Sequence, residues 1–170
     1  MEFSTESLDL VKELIKRYPA NRKKSALIPI LHIAQAEFEG WLSPETMDYV
    51  ASLIDIKPIE VYEVATFYSM FNTESAGKCI LEVCHTGPCM INGADAVISY
   101  LENKLGIKKG ETTADGMFTI RGVECLGSCG TAPMLQCGAK FHENLTNEKI
   151  DTLLSTLKQE DKRRTYVEQI

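Results

Sequence analysis

Apolar residues recur at spacings of three and four along residues 8–71, as in amphipathic helices that turn one face toward a core. These stretches are bounded by residues that stop or start helices: Pro19 and Gly40 at the ends of the first two, and Pro44 and Pro58 at the beginnings of the next two. Ser25 is expected to cap the second helix and Ser43 the third, because a serine hydroxyl accepts a hydrogen bond from a free N–H of the first turn. The pattern predicts a small bundle of four helices.

After this bundle the pattern changes to alternating strands and helices. The polar stretch Asn72–Gly77 precedes the change and is typical of a linker. The predicted elements are a strand at Cys79–Val83, a helix along Ile91–Leu105, a strand at Met117–Val123, short strands at Pro133–Cys137 and Lys140–His142, and a helix capped by Thr146. This order indicates a compact α/β layer domain. We therefore expect a helical domain at residues 1–74, an α/β domain at 75–158 and a charged tail at 159–170.

Composition and charge are those of an ordinary globular protein. The chain has 170 residues, of which 44% are hydrophobic and 25% are charged, so it can bury a core without disulfide bonds. Its net charge of −6 argues against a nucleic-acid binder. Two short basic clusters, at residues 22–24 and 162–164, are interpreted as solvated surface.

The sequence predicts neither a secretory signal nor a membrane-spanning segment. The first residues lack the basic start and apolar stretch of a signal peptide. The most apolar window, Ala26–Ala34, is too short to cross a bilayer. Six cysteines in such a chain point to a reducing compartment, where clustered thiols serve metal or redox chemistry more often than disulfides. We expect a cytoplasmic location.

Four of the six cysteines form two close pairs. Four residues separate Cys84 from Cys89, and three separate Cys125 from Cys129. Each pair begins where a predicted strand ends and contains glycines that let the backbone approach sulfur. If the two strands are neighbours, both loops leave the same end of the sheet, where α/β folds build their sites. The pattern predicts one four-cysteine metal centre.

Spacing alone leaves the nature of this centre open between zinc and a [2Fe–2S] cluster, since both accept four cysteines with such gaps. The two-residue gaps of a [4Fe–4S] run are absent, and Rieske ligation needs two histidines beside the cysteines. His85 is therefore interpreted as a loop residue rather than a ligand. A thioredoxin-like dithiol enzyme is a further alternative, but its Cys-x-x-Cys is missing. Cys79 and Cys137 lie on predicted strands and are interpreted as buried structural thiols.

Four stretches of this sequence are together typical of one family: Gly40-Trp41-Leu42-Ser43-Pro44-Glu45, Val61-Tyr62-Glu63-Val64-Ala65-Thr66-Phe67-Tyr68-Ser69-Met70-Phe71, Val83 through Cys89, and Cys125-Leu126-Gly127-Ser128-Cys129 with Ala132-Pro133. On them the chain resembles the 24-kDa-type subunit of NADH:quinone oxidoreductase (respiratory complex I), which bacteria have as the E-type subunit. The resemblance covers almost the whole chain.

The resemblance implies an N-terminal helical bundle followed by a thioredoxin-like ferredoxin domain. It also implies a single [2Fe–2S] cluster bound by Cys84, Cys89, Cys125 and Cys129. The chain would then be an electron-transfer subunit that exchanges single electrons with FMN in a larger partner, which binds NADH. It would sit with further peripheral-arm subunits at the cytoplasmic side of the inner membrane, without inserting into it.

No substrate or nucleotide site is expected on the chain itself, because it has no Gly-x-Gly-x-x-Gly and no P-loop. The same module also occurs in NAD-linked hydrogenases and formate dehydrogenases, so an equivalent diaphorase subunit is an alternative. An alternative without a redox role is an interaction module that a four-cysteine zinc site stabilises.

Aromatic residues near the helix ends of the first domain are candidates for docking the flavin subunit, because such residues are enriched at protein interfaces. These are Trp41, Tyr62, Phe67, Tyr68 and Phe71. We expect some of them to contact the partner, with the cysteine loops at Thr86–Pro88 or Leu126–Ser128 facing it.

Overall fold

A computed structural model describes residues 2–163 of the chain. These residues form two compact units that divide between Ser75 and Ala76.

The first unit is helical. Its elements are α1 (Thr5–Lys16), a 3₁₀ segment (Ala20–Ala26), α2 (Leu27–Glu37), α3 (Pro44–Ile54) and α4 (Pro58–Phe67). Ser43 caps α3 as predicted, with its hydroxyl accepting from Thr46 N–H at 3.1 Å. The cap predicted at Ser25 is wrong. The 3₁₀ segment runs directly into α2, so Ala26 stands at the cap position with a backbone that is already helical.

One hydrophobic core holds the four α-helices of this unit together. Its fully buried members include Leu27, Ile30, Leu31, Leu42, Val50, Ile54 and Val61. Buried Gln35 and Asn72 link the last residues of the unit to its helices. The Asn72 N–H donates to Gln35 Oε1 at 2.6 Å, and the Leu42 N–H donates to the Asn72 backbone carbonyl at 2.7 Å. The buried polar groups are thereby largely paired, as buried polar atoms in a folded core must be.

The second unit is a four-stranded mixed sheet with helices. Its elements are β1 (Cys79–Cys84), α5 (Gly87–Ile91), α6 (Ala94–Leu105), β2 (Phe118–Val123), a 3₁₀ turn (Cys129–Thr131), β3 (Leu135–Cys137), β4 (Lys140–His142) and α7 (Asn147–Glu160). The strand order is β2-β1-β3-β4, with β1 parallel to β2 and antiparallel to β3. The β-α-β-β-β-α order predicted from the sequence is present, with α5 added as a single extra turn of helix.

The strand β2 departs from simple alternation. The sequence alternates Phe118 and Ile120 with Thr119, which predicts Thr119 on a polar face, but all three residues are buried. The Thr119 hydroxyl accepts from Gly77 N–H at 2.8 Å and lies 2.8 Å from the Thr112 hydroxyl. Segments on both sides of the strand cover it, so the threonine is buried with its hydroxyl paired.

The predicted charged tail begins inside a helix, because α7 continues to Glu160. Beyond it, Asp161 forms a 2.6 Å ion pair with Lys78, and Arg163 donates to the carbonyl of Gly77 at 3.2 Å. The rest of that tail, residues 164–170, lies outside the described residues. Between residues 2 and 163, none of the helices has the length and apolar character needed to span a bilayer.

Candidate metal centre

Both cysteine pairs start from the same end of the sheet. Strands β1 and β2 are parallel neighbours, and Cys84 at the end of β1 stands opposite Val123 at the end of β2. The condition for both loops to leave the same end of the sheet, that the two strands are neighbours, is therefore met. The sequence suggested that Cys125 ends its strand, and this is wrong. The strand β2 stops at Val123, so Cys125 lies in the following loop.

The first pair is buried. Cys84 is 2% exposed and Cys89 is 1% exposed, and they pack with Ala94 and Met134 in a small apolar cluster. Cys89 lies within α5 rather than in a loop. The backbone N–H of Cys84 donates to the Met134 carbonyl at 3.3 Å, which fixes the end of β1 against the start of β3.

The second pair is exposed to solvent. Cys125 Sγ lies 3.9 Å from Cys129 Sγ, and Gly127 N–H donates to Cys125 Sγ at 3.4 Å. Gly127 has a φ of +80°, in the left-handed region that glycine adopts without a Cβ penalty. The chain then makes the 3₁₀ turn at Cys129–Thr131 before it enters β3.

The two buried thiols differ in acidity. Burial acts to raise the pKa of Cys84, but hydrogen bonds to its sulfur lower that pKa below its ordinary value. The donors are the backbone N–H groups of Thr86 and Leu126 and the Thr86 hydroxyl, which lies 3.5 Å from Cys84 Sγ. Burial, together with the hydrogen bond and charge of Cys84, raises the pKa of Cys89 to about 11. N–H groups aimed at sulfur stabilise a thiolate, which is the form that binds metal.

The four thiols share one electrostatic neighbourhood. The pKa of Cys129 is raised, mainly by its hydrogen bond with Cys125 and by the charge of Cys125. Burial and the charge of Cys84 add to this rise. The charge of Cys129 in turn adds to the rise in the pKa of Cys89. Each pair thus influences the other, so four thiolates here would repel one another without a positive group between them.

This donor set fits an iron–sulfur cluster, whose iron atoms are held by cysteine thiolates. Two pairs of thiols match a centre with two metal atoms, and both loops present N–H groups to sulfur. Within residues 2–163, the His, Cys, Asp and Glu side chains make no group of three or more close enough to hold a metal ion as they stand.

Two further cysteines and one histidine were considered beside the four paired cysteines. Cys79 and Cys137 are buried on β1 and β3, as expected for structural thiols. His85 leaves β1 with its N–H donating to Val123 O at 3.2 Å, and its ring lies against Gly122. A Cβ built on Gly122 would come within 2.7 Å of His85 Cδ2, so a side chain at this position would meet the imidazole.

Sequence inspection missed three polar residues that support the loops. Thr86 lies two residues after Cys84, and its position inside the first motif could have indicated a contact with the Cys84 sulfur. Thr131 and Glu143 hydrogen-bond to the second loop from outside its motif, with 2.6 Å between Thr131 Oγ1 and Glu143 Oε1. No local sequence signal connects Glu143 to a cysteine loop, because the contact exists only in the folded sheet.

Residues 11–158 match the model of the thioredoxin-like [2Fe–2S] ferredoxin family, and the chain belongs to that family. The predicted fold class is thereby confirmed. The E-type subunit of NADH-quinone oxidoreductase from Rickettsia felis is 43% identical over 152 residues, which cover 89% of this chain and 91% of that protein. The protein of the same name from Rickettsia conorii is 42% identical over 155 residues, covering 91% and 93%. The resemblance drawn from the motifs is confirmed by these relatives.

A solved structure has the same fold. It is the crystal structure of an NAD⁺-reducing [NiFe]-hydrogenase in the H₂-reduced state, with a TM-score of 0.69 and 21% identity. The match covers 78% of this chain and 22% of the matched hydrogenase chain, so the shared fold is about a fifth of that chain's length.

Proposed function

We propose that Cys84, Cys89, Cys125 and Cys129 hold one [2Fe–2S] cluster and that the chain carries single electrons. The observation that carries this proposal is that both cysteine pairs start from the same end of the sheet, where the parallel strands β1 and β2 end side by side. Membership of the thioredoxin-like [2Fe–2S] ferredoxin family supports the same cluster.

A bound cluster supplies one-electron chemistry, while the protein supplies ligands, burial and electrostatics. Cys84 and Cys89 exclude water from one half of the site because they are buried beside Met134. The N–H groups of Leu126 and Gly127 donate to sulfur and stabilise negative charge. The acidic chain, with its net charge of −6, opposes the addition of an electron, so we expect a low reduction potential.

We propose an electron-transfer subunit of an NADH-quinone oxidoreductase, because relatives of that name are 40 to 43% identical along nearly the whole chain. In this role the cluster exchanges electrons with FMN in an NADH-binding partner, and the chain itself needs no substrate site. The complex also contains further peripheral-arm subunits, and the chain lies on the cytoplasmic side of the membrane without entering it. The chain has a helical domain at 1–74 and a ferredoxin-like domain at 75–158, a boundary within one residue of the division between Ser75 and Ala76.

Exposed apolar side chains on each unit are candidates for the partner interface. Phe67 is 79% exposed and Tyr68 is exposed beside it, with their rings 5.0 Å apart in an edge-to-face arrangement. On the second unit, Ile91 is 87% exposed at the end of α5, the helix that carries Cys89. Phe71 was also a candidate, but it is only 5% exposed and belongs to the core, so it is not part of this surface.

A diaphorase subunit of an NAD-linked hydrogenase or formate dehydrogenase is the second candidate function. The observation that favours it is the shared fold with the NAD⁺-reducing [NiFe]-hydrogenase. The chemistry on this chain would be the same, with one cluster facing a flavin partner, and only the host complex would differ.

The test is reduction of the full-length chain by NADH in the presence of its co-expressed flavoprotein partner, followed by electron paramagnetic resonance. We expect the cluster signal to appear with NADH and partner, and not with NADH alone. Dithionite serves as the control, since it reduces the cluster without a partner. A cluster that dithionite reduces but that NADH and the flavoprotein leave oxidised would contradict the electron-carrier role.

Replacing Ile91 by glutamate tests the interface on the ferredoxin-like unit, with Ser99 to glutamate on an exposed position of α6 as the matched control. Charge in a desolvated interface is costly. Ile91→Glu should slow the NADH-driven reduction while leaving dithionite reduction unchanged, and Ser99→Glu should change neither.

A further inference from the structure

A carboxylate from the end of the sheet reaches into the second cysteine loop. Glu143 follows β4 directly and is half-buried. The Thr131 hydroxyl donates to its Oε1 at 2.6 Å, and the Ser128 hydroxyl donates to the same oxygen. These two hydrogen bonds lower the pKa of Glu143. Ser128 lies inside the loop, immediately before Cys129.

The backbone on each side of these contacts is also fixed. Asn144 N–H donates to the Thr131 carbonyl at 2.7 Å, and Leu145 N–H donates to the Pro133 carbonyl at 2.9 Å. The Lys149 ammonium donates to the Glu143 carbonyl at 3.3 Å, so α7 holds this segment from the other side. These contacts tie the backbone around Glu143 to Thr131, Pro133 and α7.

The second loop has few other contacts. Leu126 packs half-buried against the small apolar cluster, and the N–H groups of Leu126 and Gly127 donate to sulfur. Cys125 and Cys129 are exposed, and the loop lies beyond the end of β2 with only one short 3₁₀ turn. A largely exposed irregular loop gains little from apolar burial, so its geometry depends mainly on hydrogen bonds. A cluster site needs its ligands held to within a fraction of an ångström.

We propose that Glu143 is a positioning residue that holds Ser128 and Thr131, and through them sets Cys125 and Cys129 for the cluster. This inference rests on the proposed [2Fe–2S] site. A carboxylate suits the role because it only accepts hydrogen bonds, and its charge makes the bonds from two hydroxyls stronger than bonds to a neutral acceptor. The carboxylate touches no ligand sulfur and acts only through the two hydroxyl residues.

The test compares Glu143→Ala and Glu143→Gln with Glu124→Gln in the full-length protein that carries its cluster. Glu124 is an exposed carboxylate next to Cys125, so its replacement removes the same charge beside the site. The hydroxyls of Ser128 and Thr131 bond to Glu143 and keep that acceptor in the Glu124 variant. The readouts are the rate of visible bleaching in an iron chelator, the g-values of the reduced cluster and its midpoint potential.

Glu143→Ala should bleach about tenfold faster than the wild type, because two charge-assisted hydrogen bonds are lost. Its g-values should shift as the exposed ligands move. Glu143→Gln keeps an acceptor oxygen and should restore most of the wild-type bleaching rate and g-values. Glu124→Gln should bleach at the wild-type rate with unchanged g-values.

Wild-type bleaching and g-values in Glu143→Ala would overturn the inference, as would equal bleaching rates in Glu143→Gln and Glu124→Gln that both exceed the wild-type rate. If Glu143→Ala does not fold, the double variant Ser128→Ala with Thr131→Val tests the inference instead. It removes both hydroxyl donors and keeps the Glu143 carboxylate. It should bleach fast, and a wild-type rate would overturn the inference. A wild-type protein without iron would instead overturn the proposed cluster itself.

Discussion

The two cysteine pairs have similar spacings in the sequence but different physical support. Cys84 and Cys89 are buried with Met134 and take their positions from the packed end of β1. Cys125 and Cys129 are exposed in a loop that hydrogen bonds hold. One half of the site therefore depends on apolar packing and the other on polar contacts made by residues distant in sequence.

Replacement of a cysteine ligand has the largest expected effect, which is loss of the cluster. A second measurement, the free energy of unfolding, should distinguish the two cysteine pairs. Alanine at Cys84, Cys89, Cys125 or Cys129 should abolish the visible spectrum of the cluster, because each supplies one of four thiolates. Without the cluster, urea unfolding should distinguish the halves. Alanine at Cys84 or Cys89 should lower the free energy of unfolding by about 1–2 kcal/mol, while alanine at Cys125 or Cys129 should change it by less than about 0.5 kcal/mol.

Equal losses of stability in both pairs would contradict this difference in physical support. So would a variant of Cys125 or Cys129 that keeps a wild-type spectrum, since all four cysteines are assigned as ligands.

Met134 should be the apolar residue on which the buried half depends most. Met134→Ala removes a side chain with no exposed surface beside Cys84 and Cys89, and should cost about 2–5 kcal/mol in thermal or urea unfolding. Leu126→Ala is the matched control, because Leu126 packs on the same cluster from the second loop but is only half-buried. A cost for Leu126→Ala as large as that for Met134→Ala would mean that packing supports both loops alike.

The sequence was most informative where local chemistry decides structure. The cap at Ser43, the prolines that begin α3 and α4, and the end of β1 at Cys84 all depend on neighbours in the chain. The buried Thr119 could not be predicted, because its hydroxyl is paired by Gly77 and Thr112, which come near it only in the folded sheet. The same holds for Glu143, whose contact with the second loop requires β4 to be in place.

Gly122 beside His85 should matter less than Met134. Gly122→Ala would place a methyl group against the imidazole and against Lys109, so these side chains must shift, at a cost of about 1–3 kcal/mol in unfolding. His85→Ala should remove most of this cost, which a double-mutant cycle by urea unfolding would measure. If Gly122→Ala costs the same with and without His85, the contact with the imidazole is not what requires glycine there.

The smallest effects are expected at the two cysteines outside the pairs. Cys79→Ala and Cys137→Ala should leave the iron content intact and cost about 1–2 kcal/mol of unfolding free energy, as for small buried side chains. Iron analysis with urea unfolding checks both expectations. Loss of the cluster from a folded Cys137→Ala protein would show that the ligand assignment is wrong.

The central claim, that the four paired cysteines hold one [2Fe–2S] cluster, is tested most directly by metal and sulfide analysis of the native protein. The protein should be purified without reconstitution and analysed for iron, zinc and acid-labile sulfide. We expect about two irons and two sulfides per chain, with no stoichiometric zinc. One zinc per chain without iron or sulfide would contradict the claim and favour a four-cysteine zinc module.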